Sequence, residues 1–167
     1  MRRLPLPDAT FVEIVAIDIL EHLEQAETQT TLAEWSRVLA PDGVLSLRVP
    51  SFPHLAAMAL NNTGRDLETD RQVIHFAYGT QAYRGDYHLT SFTPILLSHY
   101  LATAGLFVHR VSVRDDWLYE IDARRIPAPT RVSWPMPSLA VDAMYQTWSW
   151  RVTAPLRAVR RLTRWMG

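Results

Sequence analysis

One short run, Phe11 to Ile19 (FVEIVAIDI), constrains this chain more than any other segment. It is almost continuously apolar, rich in β-branched residues, and preceded by the turn-like Pro7-Asp8-Ala9-Thr10. A run of that length and character is expected to form a strand buried on both faces, as in a parallel sheet. Leu32, Trp35 and Leu39 then recur at helical spacing with Val38 adjoining, which predicts a helix over 28–39. Pro41-Asp42-Gly43 is expected to stop it in a turn, and Val44 to Val49 (VLSLRV) reads as the next strand, closed by Pro50. Strand, helix, turn and strand in this order make a βαβ unit with a right-handed crossover.

The rest of the chain ends differently. Residues 50–92 read as less regular, with a short helix over 54–60 and a turn at Asn61-Asn62-Thr63-Gly64. Thr93 to Ala104 reads as a helix stopped by Gly105. Leu106–Val113 and Trp117–Ala123 read as two strands, and the short Asp115-Asp116 connection between them implies an antiparallel hairpin. Pro127, Pro129, Pro135 and Pro137 mark residues 126–138 as a linker, and 139–167 reads as helical, restarted at Pro155.

Composition narrows the function. With 48% hydrophobic and 20% charged residues, 167 residues suit one globular domain. The absence of Cys excludes disulfides, thiolate metal sites and cysteine nucleophiles. The six His form no HExxH or His-x-His pair, so no metal site is expected. No apolar run is long enough for a membrane span, and no apolar segment follows the two N-terminal Arg as it would in a signal peptide. The cytoplasm is the expected location.

The zero net charge conceals an asymmetry. Residues 1–123 carry nine Arg against sixteen acids, and residues 124–167 carry eight Arg against Asp142 alone. Within 155–166, Arg157, Arg160, Arg161 and Arg164 share one helical face, with Leu156, Val159, Leu162, Trp165 and Met166 opposite. Such a basic amphipathic helix is expected to dock on a protein surface or to lie peripherally on an anionic membrane. Four Arg make only a weak case for nucleic acid.

Four phrases of the first fifty residues carry a resemblance: Leu4-Pro-Leu-Pro-Asp8-Ala-Thr-Phe11, Ala16-Ile-Asp-Ile-Leu-Glu-His-Leu23, Glu34-Trp-Ser-Arg-Val-Leu-Ala-Pro-Asp-Gly43 and Val44 to Pro50. Together with Phe76 to Phe107 (FAYGTQAYRGDYHLTSFTPILLSHYLATAGLF), they resemble class I S-adenosylmethionine-dependent methyltransferases of the type 11 group over roughly residues 4–125. The resemblance implies an α/β fold: a partial Rossmann-like sheet of two parallel strands plus a C-terminal antiparallel hairpin, with flanking helices. It divides the chain into a partial methyltransferase domain (1–125), the linker (126–138) and the basic helical tail (139–167). Phe11–Ile19 would be the family's fourth strand, with three strands upstream. The family's Gly-rich cofactor turn has no counterpart, since none of the six Gly follows an N-terminal strand.

The resemblance also implies S-adenosylmethionine as cofactor, with Ile17, Asp18 and Glu21 lining its pocket. His22 is the candidate base, with capping or orienting of the following helix by Glu21 and His22 as the structural alternative. Asp86 and His88 are an orienter and a base on the acceptor side, or else loop-packing groups. The acceptor would be a small molecule, a lipid or a glycan-like compound. A chain without the Gly-rich turn is expected to bind cofactor weakly, and the rival expectation is a cofactor-free binding or scaffold module.

Overall fold

The computed structural model describes residues 3–62, 66–128 and 130–138. Its centre is a four-stranded sheet in the order β1-β2-β4-β3, formed by β1 (Phe11–Ile17), β2 (Leu39–Pro50), β3 (Phe107–Arg114) and β4 (Leu118–Arg124). β1 and β2 run parallel, while β4 is antiparallel to both β2 and β3. The helices are α1 (Gln25–Val38), α2 (Phe52–Asn62), α3 (Leu67–Tyr78) and α4 (Pro94–Thr103). The mixed α/β architecture, with a parallel pair and a terminal hairpin, is the one expected from the sequence.

Local chemistry accounts for the element ends. Asp115 and Asp116 both hold positive φ, and Trp117 N donates to Arg114 O across them, as in the turn type whose twist matches a hairpin. Thr93 caps α4 by accepting from Leu96 N, Pro94 opens the helix, and Gly105 at φ +74 leaves it. A Cβ at Gly105 would meet nothing, so it is the backbone conformation that calls for glycine there.

Three expectations are corrected. Pro41-Asp42-Gly43 does not stand between helix and strand: β2 already begins at Leu39, which pairs with Phe11, and the register then jumps to Glu13–Val44. The residues around the proline are taken up as a bulge inside the strand. Residues 50–92, read as largely irregular, contain both α2 and α3. The strand expected over 11–19 ends at Ile17, and it is not buried on both faces: as the end strand it leaves Val12, Val15 and Ile17 exposed. The tail over 139–167 lies outside the described residues.

The two sides of the sheet differ. Ala16, Leu45, Leu47, Val49, Tyr119, Ile121 and Ala123 are buried in one core with Leu32 and Trp35 of α1 and Leu97 and Leu101 of α4. Fully burying one such large side chain contributes roughly 1.5–3 kcal/mol, so this side dominates stability. Trp134, in the segment read as a linker, packs edge-on against Tyr119 at 5.0 Å. The alternate positions, Ser46, Arg48, Glu120, Asp122, Arg110 and Arg114, are polar, and they pair across the strands. Asp122 accepts from Ser46 Oγ at 3.2 Å and Arg110 Nε at 2.8 Å, and Glu120 accepts from Arg114 Nε at 2.5 Å. On this side β1 adds apolar surface through exposed Val15 and Ile17, and β4 through buried Leu118.

Candidate functional site

The carboxyl end of the parallel pair gathers the polar groups. At the end of β1 the chain turns through Asp18, whose φ is +54. Asp18 N still donates to Arg48 O of β2 at 3.1 Å, which carries the ladder one step past the strand. The Asp18 carboxylate takes both Arg48 Nε, at 2.9 Å, and Arg48 Nη2. That contact raises the Arg48 pKa further and fixes the turn against β2. Arg48 did not stand out in the sequence, where it reads only as a strand residue.

Leu20 to His22 follow as one 3-10 turn. Leu20 anchors it in the core. Glu21 is 1% exposed, and its backbone carbonyl accepts from Leu89 N at 2.6 Å and Thr90 N at 3.1 Å. This ties the turn to the loop between α3 and α4. The Glu21 side chain is less well served: Oε2 is buried with no hydrogen-bond partner. Burial pushes the Glu21 carboxyl up to about 7, with a bond to its own backbone opposing and the Asp18 charge adding.

The same loop delivers His88. His22 Nδ1 lies 3.0 Å from Tyr87 O, and His88 Nδ1 lies 3.0 Å from Phe76 O. A carbonyl only accepts, so both imidazoles donate from Nδ1 and, when neutral, keep a lone pair on Nε2. The rings stand edge to face with centroids 5.0 Å apart. Burial pulls the His88 pKa down, and the neighbouring His22 charge adds to this. One potential ligand atom from each of Glu21, His22 and His88 lies within 4.8 Å of the other two. The His spacing in the sequence gave no hint of this cluster.

Asp86 serves its own loop. Its carboxylate accepts from the Thr80 hydroxyl, the bond that most lowers its pKa. Asp86 O accepts from Gln81 N at 3.1 Å, and a Cβ on Gly79 would come within 2.4 Å of that carbonyl. The expected Asp86–His88 orienting bond is therefore replaced by Phe76 O on His88 and Thr80 on Asp86. The capping alternative for Glu21 and His22 does not hold either: Glu24 is the N-cap of α1, and no side chain caps it.

Two other features lie apart from these residues. Ser51 Oγ is 2.6 Å from His54 Nδ1, but both residues are buried and Ser51 opens α2. A cavity of about 700 Å³ is lined by Ile95, Ser98, Leu106, Val108 and Trp134 among others, and it includes none of the candidate site residues Ile17, Asp18, Glu21, His22, Asp86 and His88.

Residues 1–47 match the family described as "Methyltransferase domain". No curated protein matches the chain. Among solved structures, the chain is similar to a possible exported protein from Bordetella parapertussis, at 16% identity and a TM-score of 0.54, covering 74% of this chain and 41% of that one. It is similar to TnmH at 12% identity and a TM-score of 0.50, covering 75% and 32%. It also matches the 1,6-didemethyltoxoflavin-N1-methyltransferase of Burkholderia thailandensis, solved with its substrate and S-adenosylhomocysteine, at 15% identity and a TM-score of 0.46, covering 70% and 44%. At these identities the first two likenesses establish the fold alone. The chain spans less than half the length of each of these three. Among the described residues, no helix is long and apolar enough to cross a membrane.

Proposed function

We propose that this chain supplies one wall of an S-adenosylmethionine-dependent methyl-transfer site. The observation that carries the reading is the convergence of Asp18, Glu21, His22 and His88 at the carboxyl ends of β1 and β2, where open α/β sheets hold their ligands. The match over residues 1–47 includes β1 and this turn. The residues fit part of the cofactor. Ile17 offers exposed apolar surface, Asp18 a half-exposed carboxylate, and Glu21 an orphaned oxygen. No described glycine follows β1 or β2 directly to form a cradle.

When bound, S-adenosylmethionine supplies a methyl group on a sulfonium. The chain's own residues orient and shield, with Ile17 and Asp18 toward the cofactor and the 86–90 loop toward the acceptor. The nucleophilic atom of the acceptor must lose any proton it carries, and an Nε2 lone pair of His22 or His88 is placed to take it. Asp86 shapes the loop that presents His88. The acceptor is a small molecule, lipid or glycan-like compound.

Titration of S-adenosylhomocysteine into isotope-labelled chain, followed by amide NMR, tests this. Shifts centred on Ile17–His22 at millimolar ligand, without micromolar affinity, are expected. Micromolar affinity would show that the main grip lies within these residues. Absence of shifts at Ile17–Glu21 would remove the cofactor wall and leave a cofactor-free binding module.

A further inference from the structure

We infer that Glu21, His22 and His88 form a binding site for a divalent transition-metal ion, with Zn2+ as the ion of reference. Three independent features converge. One ligand atom from each residue falls within 4.8 Å of the others, a spread that a single ion could bridge with small rotamer changes. Both imidazoles spend Nδ1–H on backbone carbonyls, Tyr87 O and Phe76 O, each at 3.0 Å. That outer bond is the habit of metal-ligating histidine: it fixes the tautomer, aims the ring and leaves Nε2 to coordinate. Finally, Glu21 is 1% exposed with Oε2 unpartnered, and burying an unmatched carboxyl oxygen is costly unless something compensates it.

The donor set selects the ion. Two imidazole nitrogens and one carboxylate suit zinc and its first-row neighbours, whereas Mg2+ and Ca2+ ask for all-oxygen shells. Three protein ligands leave at least one position open for water or for an oxygen of the acceptor, the pattern of a reactive site and not of a closed structural one. The Asp18 and Asp86 carboxylates stand close enough to act on Glu21 and on the two imidazoles, so the surroundings hold negative charge besides the ligands. Arg48 opposes it, but its guanidinium is engaged by Asp18. The inference deepens the methyl-transfer reading without depending on it. An ion here would use the lone pairs otherwise offered to the acceptor's proton, and would hold an acceptor oxygen instead.

The test is a competition titration of Zn2+ against a chromophoric chelator, using untagged chain freed of metal. One equivalent is expected to bind, unaffected by millimolar Mg2+. Glu21→Gln, His22→Gln and His88→Gln should each weaken binding by at least the roughly 10–100-fold that loss of an outer-shell partner costs, with folding checked by circular dichroism, while His75→Gln and His99→Gln leave it unchanged. Binding that survives the three ligand variants, or falls with His75→Gln, overturns the site. Should a ligand variant fail to fold, the visible spectrum of Co2+ added to the unaltered chain decides. Bands stronger than those of aqueous Co2+ support coordination, and an aqueous spectrum overturns it. None of these readouts involves S-adenosylhomocysteine, so loss of the cofactor wall and loss of the metal site are separate results.

Discussion

The two faces of the sheet are built from the same strands and hold together by different physics. On one, Leu45, Leu47, Val49, Tyr119 and Ile121 are at most 3% exposed beneath α1 and α4. On the other, Ser46, Arg48, Glu120 and Asp122 alternate with them and pair with each other, Asp18 and the arginines of β3. Burial of apolar surface is cooperative and is not subject to charge screening. Exposed ion pairs are each worth about 0–1 kcal/mol and are screened. Alternation along β2 and β4 thus assigns stability to one side and leaves the other free of any single indispensable residue.

The largest effect should come from the packed face. Leu47→Ala removes a side chain that is 3% exposed at the centre of the sheet. A loss of about 2–5 kcal/mol in urea unfolding is expected, the usual range for a core Leu truncated to Ala. A loss below 1 kcal/mol would mean that the helices do not close over this strand.

A pH effect should follow on the same side. His54 is buried between Ser51 Oγ and the edge of the Tyr119 ring, and burial lowers its pKa, with Asp116 opposing weakly. The folded chain therefore holds His54 neutral where the unfolded chain would protonate it. Stability is fully present above the unfolded value of about 6.5 and falls as pH drops below it, until the folded pKa is passed. Urea midpoints measured between pH 8 and 5 should decline, and the decline should shrink in His54→Leu. Identical slopes in the two proteins would remove His54 as the cause.

Much of the fold was legible in the sequence, the contrast between the faces was not, and the failures have physical reasons. β1, β2 and the hairpin were readable because β-branched runs and the Asp115-Asp116 turn are local signals. The early start of β2 was not, because Pro41-Asp42-Gly43 has turn chemistry whether it ends a helix or bulges a strand. α3 was missed because Val73 is its only fully buried residue, so the apolar stripe is faint. Its cap was the available clue: Asp66 accepts from Thr69 N at 2.7 Å, with Glu68 and Asp70 in the first turn. In the candidate site, the Glu21-His22 pair was visible. Its meeting with His88, and the Asp18–Arg48 contact, depend on long-range packing that no spacing rule encodes.

On the polar face the effects should be smaller. Asp122→Ala deletes the acceptor shared by Ser46 and Arg110, yet the Arg110 side chain is 75% exposed. A loss of about 0.5–1 kcal/mol is expected at low salt, less in 1 M sodium chloride. A loss as large as that of Leu47→Ala would erase the distinction between the faces.

The smallest effect on stability should come from the apolar corner of that same face. Val15 and Ile17 are 55% and 47% exposed, and β1 is the end strand of the sheet. An end strand combining free backbone groups with exposed β-branched side chains is a template for pairing with another chain. Val15 sits beside Ser46 in the register, on the polar side, so a charged residue there is not forced into the core. Val15→Lys should leave the urea midpoint within about 0.5 kcal/mol of the unaltered chain. In sedimentation velocity it should shift the population toward monomer, because a lysine on an edge strand opposes strand addition. Unchanged association would place self-contact elsewhere. A marked loss of stability would show that Val15 is covered in the folded chain, and that the second face is packed after all.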